Sequence, residues 1–155
     1  MLLQTLAAII ASLGFGIIFN VKGKNLIFAS LGGGLSWLSY LIFLNLGTSE
    51  VIAMFLSSII FSIYSEVFAR VLKTPVTTIV ICCLIPLVPG AGMYNTMYEI
   101  ITDSTSEAIT LALHTLACAG SLALGVILVS TITRLINRST RLINRSRRKL
   151  KYRNE

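Results

Sequence analysis

The chain has 155 residues, of which 55% are hydrophobic and only 12% are charged. Soluble domains carry about 25% charged residues, so this composition excludes an ordinary soluble domain. The net charge of +7 is of the kind found in nucleic-acid-binding proteins, but nine of the 13 Lys and Arg residues lie from Arg134 onward and belong to a C-terminal tail rather than to a domain face.

Five apolar segments follow one another, each close to the roughly 20 residues that a helix needs to cross a bilayer. They cover residues 2–19, 26–46, 51–68, 76–101 and 108–132. No positively charged region precedes the first segment, so we expect a retained span rather than a signal peptide. The links are too short to hold a soluble domain. The sequence therefore predicts an all-α integral membrane protein with a five-span domain at 1–132 and a tail at 133–155.

The distribution of charge supports this topology. With five spans, every Lys and Arg falls on one side of the membrane: Lys22, Lys24, Arg70, Lys73 and the nine in the tail. The opposite side carries acidic residues and no basic one: Glu50, Glu99, Asp103 and Glu107. Because Lys and Arg favour the cytoplasmic side, we predict an outside N-terminus and a cytoplasmic C-terminus in the cell membrane.

The tail contains a tandem repeat, TRLINRS at 133–139 and again at 140–146. Its seven-residue period places apolar residues along one helical stripe, with Arg elsewhere. Basic clusters next to a span usually meet anionic lipid headgroups, so we predict a basic cytoplasmic helix that contacts lipid and not nucleic acid. A duplication without function is the alternative.

The fourth segment contains the sequence IPLVPG at 85–90. A proline inside a helix removes a hydrogen bond and clashes with the preceding turn. The 11 residues from Val76 to Pro86 span about 16 Å as a helix, which is about half of a ~30 Å bilayer core. We therefore predict two half-helices that meet near the midplane, with the break between Pro86 and Gly90.

The start of such a half-helix can bind an anion. Its free N–H groups and partial positive charge can hold a carboxylate without a buried cation. The second half is also polar, so the predicted substrate-binding residues are Pro86, Pro89, Gly90, Tyr94, Asn95 and Thr96. The alternative is a simple proline kink packed against its neighbours.

These residues also carry a resemblance to a known family. The stretch KTPVTTIVICCLIPLVPG at 73–90, followed by Tyr94, forms an IPxxPGxxxY motif, and GFGIIFNV at 14–21 and LGGG at 31–34 extend the similarity. The chain resembles the short subunit type of the threonine/serine exporter family over nearly its whole length. The basic duplicated tail has no counterpart in that pattern.

The resemblance implies a transporter that exports small amino acids or related carboxylates and is coupled to the proton gradient. In the family this unit is fused to a longer half or encoded beside it as a second protein. Many transporters pair two repeats around a midplane site, so we expect either a longer membrane subunit or a homo-oligomer as partner.

Three ionisable residues are candidates for proton coupling: Glu66, Glu99 and His114. Ionisable residues inside a membrane are functional candidates by default. Each also has a structural interpretation. Glu66 can pair with Arg70 four residues on, His114 can be a hydrogen-bonded interior histidine, and Glu99 can reach the headgroup layer.

Small residues recur at four-residue spacing, which lets membrane helices approach closely. We assign this packing role to Gly32, Gly33, Gly34, Ser121 and Gly125. The triple glycine also allows an alternative, in which the second span is unwound beside the site.

The remaining features argue against an enzyme. Cys82, Cys83 and Cys118 match no zinc or iron–sulfur spacing, so we expect buried free thiols, no metal and no cofactor. The chain has one histidine and no pair of acidic residues near the membrane midplane, so few residues could form a catalytic site. The second function class is a non-transporting membrane scaffold or assembly partner, for which Tyr94, Asn95 and Thr96 are expected to face lipid or a packed helix rather than a cavity.

Overall fold

The computed structural model describes the backbone of residues 1–102 and 105–153, and the side chains of residues 1–102 and 106–138. Asp103, which the charge argument placed on the acidic side, lies outside the described residues, as do the side chains of the second TRLINRS repeat. The described residues form six α-helices and one short 3-10 turn at Ile85–Leu87. The helices are α1 (Leu2–Ile18), α2 (Lys24–Asn45), α3 (Glu50–Val71), α4 (Val76–Leu84), α5 (Gly90–Ile101) and α6 (Thr105–Arg153).

Three described helices are long and apolar enough to cross a membrane, namely Lys24–Asn45, Glu50–Val71 and Ser106–Arg138. The pair Val76–Leu87 and Gly90–Ile101 is a fourth if its two bent halves form one span. Helix α1 is apolar but has 17 residues, fewer than the roughly 20 that a crossing needs. The architecture is therefore that of a multi-pass membrane protein, and five crossings stay a prediction.

Helix α6 is continuous from Thr105 to Arg153. The fifth predicted span and residues 133–153 of the tail thus share one helix. A separate basic helix on the cytoplasmic side stays a prediction.

Helices α2 and α3 form the centre of the bundle. Helix α1 packs on α2, α4 packs against both central helices, α6 packs on α3, and α5 packs on α6. The core has few large side chains: Phe61, Ile79 and Leu87 are its largest fully buried ones, and serines fill much of the rest. Small residues let the helices approach closely, as is common where lipid supplies no hydrophobic drive for association.

Two glycines lie at the closest helix contacts. A side chain on Gly33 of α2 would collide with the Cβ and Oγ atoms of Ser12 on α1. One on Gly125 of α6 would collide with Ser58 on α3. The triple glycine lies inside the continuous helix α2, so the alternative of an unwound second span is not observed.

Candidate functional site

The fourth segment is interrupted where its two prolines lie. Helix α4 ends at Leu84, the 3-10 turn covers Ile85–Leu87, and α5 begins at Gly90. The axis of α5 is bent by 49° from that of the helical stretch before the break. Pro86 has no N–H, so the Cys82 carbonyl loses its usual helical partner. Pro89 has φ −74° and ψ 56°, and the Gly90 N–H bonds the Val88 carbonyl at 2.7 Å, which together form an inverse γ-turn.

The start of α5 has two open hydrogen-bond donors. The first helical bond of α5 runs from the Met93 N–H to the Pro89 carbonyl at 3.1 Å. Neither the Ala91 nor the Gly92 N–H has a partner among the described residues, and no side chain caps the helix. Open N–H groups at a helix start, together with the helix dipole, favour a negatively charged ligand.

Serines from the central helices surround the other side of the break. The Ser36 hydroxyl lies 2.8 Å from the Cys83 carbonyl oxygen and 2.7 Å from that of Gly33, so it can donate its single proton to either. The Ser57 hydroxyl donates to the Ser36 carbonyl at 2.6 Å and lies 2.9 Å from the Ser39 hydroxyl. These bonds hold α2, α3 and α4 together beside the irregular backbone.

The serine network was not part of the sequence prediction. Its signal is the placement of Ser36 and Ser39 three residues apart, on one face of an otherwise apolar helix. Such serines are equally typical of simple helix packing, so the sequence alone does not distinguish a hydrogen-bond network from close packing.

Two cavities flank the break. One, of about 300 Å³, is lined by Gln4, Trp37, Pro86 and three alanines of α1. The Trp37 indole N–H is buried and has no hydrogen-bond partner among the described residues. The other cavity, of about 360 Å³, lies between α4 and α6, includes Val88 and Pro89, and has an entirely apolar lining.

The predicted substrate residues on α5 do not converge. Tyr94 is 69% exposed and stacks on Tyr98, and Asn95 is also exposed. The Thr96 hydroxyl donates to the Gly92 carbonyl of its own helix at 2.8 Å. None of these residues lines either cavity beside the break.

Gly90 itself is open. No described atom lies within 4 Å of the position that a Cβ at Gly90 would occupy. A Cβ here would thus meet no part of this chain outside its own helical turn. By contrast, a side chain on Gly92 would press against Thr115 of α6, which shows which face of α5 touches the bundle.

Glu66 forms the expected i,i+4 contact, with its Oε2 3.4 Å from a guanidinium nitrogen of Arg70. It is the less exposed partner, at 15% against 53% for Arg70. Glu66 also lines a cavity of about 310 Å³ whose other polar lining residues are Thr77, Ser130, Thr133, Arg134 and Asn137. These residues were not predicted, because three different helices bring them together.

The other two proton-coupling candidates have different surroundings. Glu99 is half-buried, and its Oε2 lies 3.5 Å from the Thr102 hydroxyl. His114 Nε2 lies 3.7 Å from Glu50 Oε2, and His114 Nδ1 lies 3.9 Å from Cys118 Sγ. The sequence placed Glu50 on the acidic side of the membrane but did not connect it with His114.

The family model described as "Threonine/Serine exporter, ThrE" matches residues 4–132. No solved structure matches the chain. The family match covers α1 from residue 4, the helices α2 to α5 with the broken segment, and α6 up to residue 132, where the tail repeat begins. The chain therefore belongs to the threonine/serine exporter family.

Proposed function

We propose that the chain is one subunit of a secondary transporter that exports threonine, serine or related small carboxylates across the cytoplasmic membrane. The observation that carries the proposal is the broken helix, whose second half begins with the unpaired N–H groups of Ala91 and Gly92. Unpaired backbone donors are costly in hydrocarbon. Transporters use such half-helix starts to bind the carboxylate of a substrate.

Charge supports the same site. Residues 76–102 contain no Lys or Arg, so a substrate carboxylate near the break has no side-chain cation in this segment to pair with. Backbone N–H groups and the helix dipole can supply the attraction instead. Pro86 and Pro89 shape the turn, Gly90 leaves space for the ligand, and Tyr94, Asn95 and Thr96 supply polar groups.

A second protein surface is part of this proposal. No residue of α5 is buried, and its Tyr94 and Asn95 side chains are exposed. Polar groups of a membrane helix face a water-filled cavity or another protein surface rather than lipid. We therefore infer that a longer subunit of the family, or a second copy of this chain, covers α5 and completes the pathway.

The distribution of charged residues supports a membrane orientation and a proton-coupling residue. The N-terminus is outside, and Arg70 and the basic tail are cytoplasmic, where the tail meets anionic lipid headgroups. Glu66 is the residue we assign to proton coupling, because it is the least exposed of the ionisable groups at that end and lines a polar cavity. Glu99 stays a second candidate at the opposite end.

One observation favours the scaffold alternative. In the single chain, Tyr94 and Asn95 are exposed and Thr96 bonds its own helix, which is the arrangement expected of a non-transporting partner. Under that alternative the longer subunit holds the whole substrate site. Substitutions beside Gly90 would then leave export unchanged as long as the complex assembles.

The two functions are separated by Gly90→Val. Efflux of labelled threonine is measured from cells that carry the chain with its longer partner, at matched membrane expression. Since a Cβ at Gly90 has no described atom within 4 Å apart from its chain neighbours and the backbone of its own helix, we expect the variant to insert and assemble but not to export. Gly120 also has open space around it and lies on α6, so Gly120→Val is the matched control and should export like the wild type. Normal export by Gly90→Val would favour the scaffold.

A further inference from the structure

Three potential metal ligands from two helices meet near the end of the bundle that carries the α2–α3 connection. His114 and Cys118 are four residues apart on α6 and so share one face of that helix. Glu50 is the first residue of α3. One ligand atom from each of Glu50, His114 and Cys118 can be chosen so that all three lie within 4.8 Å of one another.

The three side chains lie close to the spacing that a tetrahedral metal ion requires. Metal bonds of about 2.0–2.3 Å place neighbouring tetrahedral ligand atoms about 3.3–3.8 Å apart. Glu50 Oε2 lies 3.7 Å from Nε2 of His114, and Cys118 Sγ lies 3.9 Å from Nδ1 of the same ring. An ion takes only one of the two ring nitrogens, and with one ligand atom from each residue the three atoms lie within 4.8 Å of one another. The side chains of Glu50 and His114 are 44% and 51% exposed, so both have room to rotate by the roughly 1 Å that separates this spacing from that of a tetrahedral site.

A further residue holds the carboxylate in place. The Tyr40 hydroxyl donates to Glu50 Oε1 at 3.3 Å, while Oε2 is the oxygen near His114. Tyr40 is buried and its ring lies against Trp37, so its hydroxyl is well positioned. Metal-binding carboxylates are typically hydrogen-bonded in this way by an outer residue.

We propose that Glu50, His114 and Cys118 bind a zinc-class divalent transition metal ion, with the fourth position open to water. Imidazole, thiolate and carboxylate are the ligand types that zinc takes in proteins. The Cys118 thiol loses its proton to water when its sulfur bonds the ion, because the thiolate is the ligand. The bound ion links the start of α3 to α6. An ion pair between Glu50 and His114 alone would leave the buried thiol beside the ring without a role.

Cobalt binding to the purified full chain in detergent tests this site, because Co²⁺ occupies zinc sites and absorbs light. The affinity tag must contain no histidine, and bound metal is first removed with a chelator. We expect a sulfur-to-cobalt charge-transfer band in the near ultraviolet that saturates at one ion per chain and disappears when Zn²⁺ is added. Cys118→Ser should lose the band, and Glu50→Gln should bind at least 10-fold more weakly. Tyr40→Phe, which removes only the outer hydrogen bond, should bind about 10-fold more weakly.

The chain provides its own control. Cys82 is a buried free thiol outside the three-residue cluster, so Cys82→Ser should keep the band and the affinity. Circular dichroism and gel filtration establish that each variant is folded, and Glu50→Gln keeps the test decisive if Cys118→Ser misfolds. No band in the wild type, a band that survives Cys118→Ser, or unchanged binding by Glu50→Gln overturns the proposal. None of these results depends on transport, so this site and the proposed function can fail separately.

Discussion

The central pair α2–α3 and the half-helix α5 are both rich in polar side chains, yet they use them in opposite ways. Ser36, Ser39 and Ser57 are buried and bond one another and the backbone across helices. On α5 no residue is buried, and the Tyr94 side chain is exposed. The first arrangement pairs the three hydroxyls within the chain, whereas the second leaves groups available to something outside it.

This difference separates stability from function along the sequence. Buried hydroxyls at close helix contacts contribute to folding, so their loss should appear in unfolding experiments. Exposed groups on α5 contribute little to the fold of the single chain, so their loss should appear only in assembly or export. Substitutions in the two regions test whether this separation holds.

The largest effect on stability is expected at Gly33. A valine here would collide with Ser12 on α1 and crowd the Cys82 carbonyl on α4. Overpacking of this kind costs about 3 kcal/mol or more when backbone must move. Unfolding of the purified protein in mixed detergent micelles measures the free energy. Gly14→Val is the control, since no described atom lies near that position, and equal stability of the two variants would contradict the close α1–α2 contact.

A smaller loss is expected at the contact between α3 and α6. Gly125→Ala would press on Ser58 and lie close to the Phe55 carbonyl, which should cost about 1–3 kcal/mol. Gly120→Ala, five residues earlier on the same helix, meets nothing and should gain up to about 1 kcal/mol from the better helix propensity of alanine. The same unfolding measurement applies. If both variants changed the free energy of unfolding in the same direction, α6 would not pack on α3 at Gly125.

The serine network predicts a still smaller effect. Ser36→Ala removes the donor to the Cys83 carbonyl beside the break, and we expect a loss of about 0.5–1.5 kcal/mol. Ser30→Ala is matched to it, because the Ser30 hydroxyl bonds only its own helix, at the Leu26 carbonyl. Near-zero change for Ser30→Ala and a measurable loss for Ser36→Ala would locate the stabilisation between helices. Equal values would mean that the network adds nothing to the fold.

The sequence predicts some of these features and not others, for physical reasons. Proline chemistry is local, so the interruption near Pro86–Gly90 could be predicted from the residues themselves and is present in the structure. The Glu66–Arg70 contact depends only on helical spacing and is confirmed. Hydrophobic length indicates the membrane helices. Of the five predicted crossings, three meet the length and apolarity that a span requires, or four if the bent pair is one span.

Contacts between distant segments were harder to predict. Nothing near Glu50 in the sequence points to His114 or Cys118, because only the packing of α3 on α6 brings them together. The spacing rules for metal ligands apply to residues close in sequence, and so they led to the expectation of no metal site. The polar cavity at Glu66 likewise combines side chains from α3, α4 and α6.

The smallest effect on stability, and a large one on function, is expected at Asn95. Its side chain is exposed, so Asn95→Ala should change the free energy of unfolding by less than about 0.5 kcal/mol. If the amide contacts the substrate, its loss removes a polar partner worth about 1–3 kcal/mol, which weakens the apparent affinity for threonine about 5- to 150-fold. Labelled-threonine efflux at several internal concentrations, with the longer partner present, measures that affinity. Met97 is exposed on the same half-helix but apolar, so Met97→Ala is the control for lost bulk. Assembly is followed by co-purification of the partner. Wild-type export by Asn95→Ala in an intact complex would place the substrate away from α5, and a loss of co-purification would make Asn95 an assembly residue instead.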